Sequence, residues 1–151
     1  MQSSDGSIRL ILNASQSAHT QSSRFLSEAF GSGVQHIALA TSDIFGTAKT
    51  LAANGVVLLP IPENYYDDLE ARSDMPAAAI DRLKAHNVLY EREGEGEYFQ
   101  LYTQTFDERF FFEIVERRNG YAGFGASDAQ IRLAAQTRQS IDPTRAFVRD
   151  E

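Results

Sequence analysis

Apolar positions are densest in Phe110-Phe111-Phe112-Glu113-Ile114-Val115, which charged residues bracket as Asp107-Glu108-Arg109 and Glu116-Arg117-Arg118. A run of this length and composition predicts a core strand over 109–117. Side chains alternate along a strand, so Phe111, Glu113 and Val115 share one face and Phe110, Phe112 and Ile114 the other. Burying an unmatched carboxylate costs several kcal/mol or more, so Glu113 requires a partner.

The same alternation marks other segments. Ser7 to Asn13 reads as a strand with Ile8, Leu10 and Leu12 on one face. Thr20 is placed to cap a short helix from Gln21 to Phe30, stopped by Gly31-Ser32-Gly33. Val34 to Ala40 reads as a second core strand with His36, Ala38 and Ala40 on one face. A helix then runs through Ile44, Ala48, Leu51 and Ala52, capped by Thr41 or Ser42 and ended by Asn54-Gly55. Val56 to Leu59 is a short strand closed by Pro60 and Pro62. Two helices follow, over Asn64–Arg72 and after Pro76. Val88–Arg92 and Glu97–Thr103 form strands about a glycine turn, with Tyr98, Gln100 and Tyr102 on one face of the second. A glycine-rich turn over 120–125 leads to a last helix from about Asp128 to Gln139, and a charged tail holds Pro143. The order of elements predicts an α+β domain with one mixed or antiparallel sheet.

Composition narrows the classes. The 151 residues suit one domain, and 42% hydrophobic residues can bury a core. A net charge of −7 argues against non-specific nucleic-acid binding, which needs a basic face. No apolar run approaches the ~18 residues of a membrane span, and the first residues carry no secretory pattern. Cysteine is absent, so disulfides, zinc–thiolate sites and cysteine nucleophiles are excluded; a cytoplasmic location is expected. Any metal site must draw on His19, His36 or His86 with carboxylates.

His36 and Glu113 both lie mid-strand among apolar residues, and Gln100 holds a similar place on a third strand. If those strands line one cup, an imidazole and a carboxylate converge as two ligands of a divalent metal, with a carboxamide beside them. The plainer alternative is a core histidine hydrogen-bonded to a core glutamate. Two ligands fall short of the three usual in a catalytic site. His19 and His86 read as solvated. Tyr65-Tyr66-Asp67-Asp68 reads as a surface helix with inward tyrosines. Gly120 to Gly125 lacks a nucleotide-binding order, and Arg117-Arg118 is too small a basic cluster for nucleic acid.

Five segments, in order and at close to family spacing, resemble 4-hydroxyphenylpyruvate dioxygenase. They are Gly33-Val34-Gln35-His36-Ile37-Ala38-Leu39, Tyr65-Tyr66-Asp67-Asp68-Leu69, Phe99-Gln100-Leu101-Tyr102-Thr103, Phe111-Phe112-Glu113-Ile114 and Gly123-Phe124-Gly125. Leu10-Ile11-Leu12-Asn13 and Gln21 resemble its substrate-site segments upstream. The resemblance implies the vicinal-oxygen-chelate fold, shared with glyoxalase, in which βαβββ modules pair to form a metal cup. It divides the chain into a lead-in strand and helix over 1–30, a βαβββ module over 31–126, and a C-terminal helix and tail over 127–151. It implies His36 and Glu113 as ligands of a divalent metal, Fe(II) in that family, and Asn13, Gln21, Gln100 and Phe124 as substrate-binding residues. The ligand would be a 2-oxo acid or an aromatic compound.

Two departures shape the reading. The family's other histidine ligand lies in a preceding module that this chain lacks. The closing helix has Ala129 and Leu133 where the family has phenylalanines; there it resembles the dioxygenase-like C-terminal region of some bacterial 3-dehydroshikimate dehydratases. The expectation is a metal-binding module, incomplete alone and completed by a second module or by a homodimer. A pair of copies would offer two histidines and two carboxylates, like the ligand set of glyoxalase I. The alternatives are a non-catalytic structural or regulatory module of a dehydratase, and a generic domain with a core His36–Glu113 pair. In either case the helix from Asp128 could instead fold back over the cup.

Overall fold

The computed structural model describes residues 1–12, 21–106, 110–125 and 128–141. It divides into two compact units, Met1–Val34 and Gln35–Glu151.

The first unit holds a short antiparallel loop and one helix. Gln2 and Arg9 form a bridge, the Leu10 amide donates to the Met1 carbonyl at 2.8 Å, and the intervening turn is tied by Ser3, Asp5 and Ser7. The expected strand over 7–13 does not form in the described residues: Ile8, Leu10 and Leu12 are exposed. Its alternation is present, but past the one bridge no neighbouring strand pairs with it, and a strand without a ladder leaves its backbone to water. Helix α1 spans Gln21–Glu28 and ends at Phe30 and Gly31, both with positive φ.

The second unit is a four-stranded sheet in the order β1-β4-β3-β2, with four helices. The strands are β1 (His36–Ala40), β2 (Leu89–Glu93), β3 (Gly96–Tyr102) and β4 (Phe111–Arg118). β1 runs parallel to β4, and the other two pairs are antiparallel. Between β1 and β2 lie α2 (Ile44–Ala53), α3 (Glu63–Arg72) and α4 (Ala77–Ala85). Helix α5 (Ala129–Ile141) follows β4. Residues 56–59 contribute a single bridge, Leu58 to Thr103, in place of the expected strand.

Helix α2 is capped by Asp43, whose Oδ1 accepts from the Gly46 amide at 3.0 Å, rather than by Thr41 or Ser42. Thr41 is occupied elsewhere, its hydroxyl accepting from the Asp43 amide. A second anchor comes from the sheet. Glu116, buried on β4, accepts the Ile44 amide at 2.8 Å and pairs with Arg118 at 2.7 Å. One carboxylate thus satisfies an orphan donor of the helix N-terminus and complements its dipole.

The core lies between these helices and the sheet and includes Ile44, Phe45, Leu59, Leu83, Leu89, Leu101 and Phe111. At the β2 edge, the Tyr65 hydroxyl accepts from the Tyr90 amide at 2.9 Å and donates to the Tyr90 carbonyl at 3.1 Å. The opposite edge differs from expectation. β1 reads as a core strand, but Ile37 and Leu39 are 44% and 49% exposed, and Ala38 and Ala40 are exposed too. Its pattern describes what the strand is able to bury; among the described residues no further strand pairs beyond it.

Candidate functional site

Register brings the expected residues onto one face. His36 lies opposite Phe111 and Ala38 opposite Glu113 in the β1–β4 ladder, while Tyr102 and Gln100 lie opposite Glu113 and Val115 in the β3–β4 ladder. His36, Glu113 and Gln100 therefore project from the same side of a single sheet.

His36 Nε2 stands 3.6 Å from Glu113 Oε2. That separation is too long for a good hydrogen bond, so the pair does not close as a core contact. Its ring is held by stacking on Phe111, with centroids 5.0 Å apart and planes 9° from parallel. Nδ1 is buried without a hydrogen-bond partner. Burial, and next the charge of Arg132, push the imidazole below its ordinary pKa, so the ring is neutral at pH 7, the form that ligates metals. Burial raises the Glu113 carboxyl, against the hydroxyls of Tyr102 and Tyr98 and the charges of Arg132 and Arg117. The Tyr98 hydroxyl donates to Glu113 Oε1 at 3.3 Å, leaving Oε2 toward the imidazole. Two atoms each ~2.1 Å from one ion lie ~3.0–3.6 Å apart for bond angles of ~90–120°. The chemistry and spacing of the pair therefore fit one divalent cation. Among the described residues, no group of three or more histidines and carboxylates is placed to hold a metal.

Gln100 is fully buried and spoken for at both ends. Its Oε1 accepts from the Tyr102 hydroxyl at 2.6 Å, and its Nε2 donates to Asp128 Oδ2 at 2.7 Å. Gly125 passes directly over it. A side chain there would meet Gln100 Oε1 at 2.6 Å and Tyr98 at 2.7 Å, and φ is +66°, so only glycine suits the position. Helix α5 then lies against this face. Asp128 and Ala135 are buried, and the Arg132 guanidinium carbon sits 5.0 Å from the Phe111 ring centroid. Ala129 and Leu133, which stand where the family has phenylalanines, are half-buried. Phe124 lies in the loop before α5, about half exposed. Asn13 lies outside the described residues; Gln21 opens α1, and nothing is described of its side chain.

Asp128 and Arg132 were not anticipated from sequence. The available signal was their four-residue spacing, which puts both on one face of a helix with Ala135.

No family model matches the chain. It is 49% identical over 139 residues to a 3-dehydroshikimate dehydratase of Pseudomonas aeruginosa, covering 90% of this chain and 22% of that protein. It is 34% identical over 139 residues to a 4-hydroxyphenylpyruvate dioxygenase of Legionella pneumophila, covering 90% of this chain and 40% of that one. A solved xylose isomerase-like TIM barrel/4-hydroxyphenylpyruvate dioxygenase fusion protein superposes with a TM-score of 0.78 at 47% identity, over 91% of this chain and 22% of its own. This chain is similar to a 4-hydroxyphenylpyruvate dioxygenase-like module. Its α+β fold is that of the vicinal-oxygen-chelate modules. The dioxygenase-like module spans about a fifth of the dehydratase and two-fifths of the dioxygenase. No helix among its described residues is long and apolar enough to cross a membrane.

Proposed function

We propose that this module binds one divalent cation through His36 Nε2 and Glu113 Oε2, as part of a 2-oxo-acid dioxygenase-like site in a longer protein. The observation that supports this reading is the 3.6 Å gap between a neutral imidazole and a buried carboxylate on one sheet face. Fe(II) is the cation the dioxygenase relatives suggest; bound there, it would supply oxygen activation. The chain's own residues supply the rest. Phe111 fixes the imidazole plane, Tyr98 orients the carboxylate, and Gln100, once released from Asp128, offers an amide to a ligand. The third protein ligand comes from a second module or a second copy of the chain.

A second reading is a structural or regulatory module of a dehydratase, favoured by the packing of α5 over the cup and by the double engagement of Gln100. The two separate on one pair of measurements. Metal-stripped chain is titrated with Fe(II) under anaerobic conditions and with Mn(II), and oxygen uptake is followed with 4-hydroxyphenylpyruvate. The proposal expects one metal site per chain or per pair of chains, weakened at least tenfold in H36A and E113Q, and background oxygen uptake by the chain alone. Metal binding that ignores both substitutions would refute it; robust turnover by the chain alone would refute its incompleteness.

A further inference from the structure

Helix α5 carries into the cup a charge that already acts on the pair, pulling the pKa of the Glu113 carboxyl and of the His36 imidazole downward alike, yet makes no direct contact with the carboxylate among the described residues. The Arg132 guanidinium carbon lies 5.0 Å from the Phe111 ring centroid and 5.7 Å from that of Tyr102. Phe111 is the ring on which His36 stacks, and Tyr102 is the residue opposite Glu113 in the ladder. The arginine therefore stands beside both members of the pair, on the element that closes over them.

Its pairing is incomplete. A guanidinium carries five N–H donors in a planar fork. Nη1 donates to Gln136 Oε1 at 2.8 Å, and among the described residues no carboxylate forms a salt bridge with it. Arg118 on β4 shows the contrast, with a carboxylate at 2.7 Å. Charge balance leads the same way. A divalent ion at His36 and Glu113 would add two positive charges beside a third, with the carboxylates of Glu113 and Asp128 against them. Positive charge in a half-buried place needs an anion. A carboxylate answers both needs, because its two oxygens match the guanidinium fork bidentately.

We propose that Arg132 binds the carboxylate of a small organic acid that enters the cup beside His36 and Glu113. The inference deepens the proposed function by naming the ligand's anionic handle, and rests on that reading for the location alone. The arginine's role does not require the ion.

The test compares benzoate with its neutral counterpart benzamide, titrated by calorimetry into the metal-stripped 151-residue chain. Benzoate is expected to bind at least tenfold more tightly. R132Q should abolish the preference, and R132K, which keeps the charge but not the fork, should retain part of it. Circular dichroism checks that both variants fold. Should R132Q unfold, the Arg132 Nε–H resonance of the unsubstituted chain is followed by NMR. It should shift with benzoate and stay still with benzamide. Equal binding of the two probes, an unchanged preference in R132Q, or a resonance indifferent to benzoate overturns the proposal. Mn(II) titration of the same sample keeps the two readings apart. A benzoate preference without Mn(II) binding defeats the metal reading alone, and Mn(II) binding without the preference defeats this one.

Discussion

β4 and β1 are neighbours in one ladder and look alike as sequence, yet they live in different environments. From Phe111 to Glu116 nearly every β4 residue is buried, whereas β1 is exposed from Ile37 onward. Both have strongly apolar stretches. The difference is position: β4 has a strand on each side and elements over it, while β1 is the sheet edge among the described residues. An apolar pattern therefore states a capacity for burial, and topology decides how much of it is used. His36 belongs to the exposed strand and Glu113 to the buried one, so the candidate pair straddles that boundary.

Substitutions measure the contrast directly. Phe111→Ala removes a buried ring at the centre and should cost about 3–5 kcal/mol in urea denaturation. Ile37→Ala in the next strand should cost under ~1 kcal/mol, because much of the side chain is already in water. Equal losses would mean that the edge is covered.

A smaller effect comes from what lies over β3 and β4. Burial pushes the Asp128 carboxyl from 3.8 up to about 6. Above that value the folded chain holds a buried carboxylate that the unfolded chain holds in water. This group's contribution is thus greatest below pH 3.8 and falls as pH rises through about 6, by up to ~3 kcal/mol. Replacing Asp128 with Asn, which can still accept from Gln100, should flatten that slope between pH 4 and 7. A slope that persists in the variant would assign it to another group.

Next in size, Glu116→Ala leaves the Ile44 amide and Arg118 without their carboxylate and should cost about 2 kcal/mol by thermal or urea unfolding. The smallest effect belongs to the edge. Leu39→Lys should change the stability of the isolated chain by less than ~0.5 kcal/mol. A loss of more than 2 kcal/mol, or one that varies with protein concentration, would show β1 to be an interface.

Much of this architecture was legible in the sequence, and the exceptions have physical reasons. Strand alternation grouped Tyr98, Gln100 and Tyr102 within 97–103 and Phe111, Glu113 and Val115 within 109–117, because period two is enforced by the backbone itself; that the two groups share one sheet face is set by the pairing of β3 with β4. The α2 boundaries followed from its apolar spacing, but its cap went to Asp43, since Thr41, Ser42 and Asp43 are all competent and only loop geometry chooses. The exposure of β1 was hidden because exposure depends on neighbours that the strand does not encode. Asp128 and Arg132 were missed for the opposite reason: polar residues in a helix look solvent-facing until a sheet is set against them.

One feature of the fold bears on what the sheet can become. The Tyr65 hydroxyl fills both the donor and the acceptor role at Tyr90, as a further strand would at that rung. At that rung the margin of the sheet is stoppered, and among the described residues β1 is the margin left open to added strands. A sheet open at one end behaves like a monofunctional monomer in polymer chemistry. It can pair once and then stops, and it cannot propagate a fibre. The exposed apolar strand is in this sense a bounded hazard, able to form a closed pair while the phenol at the far edge terminates growth.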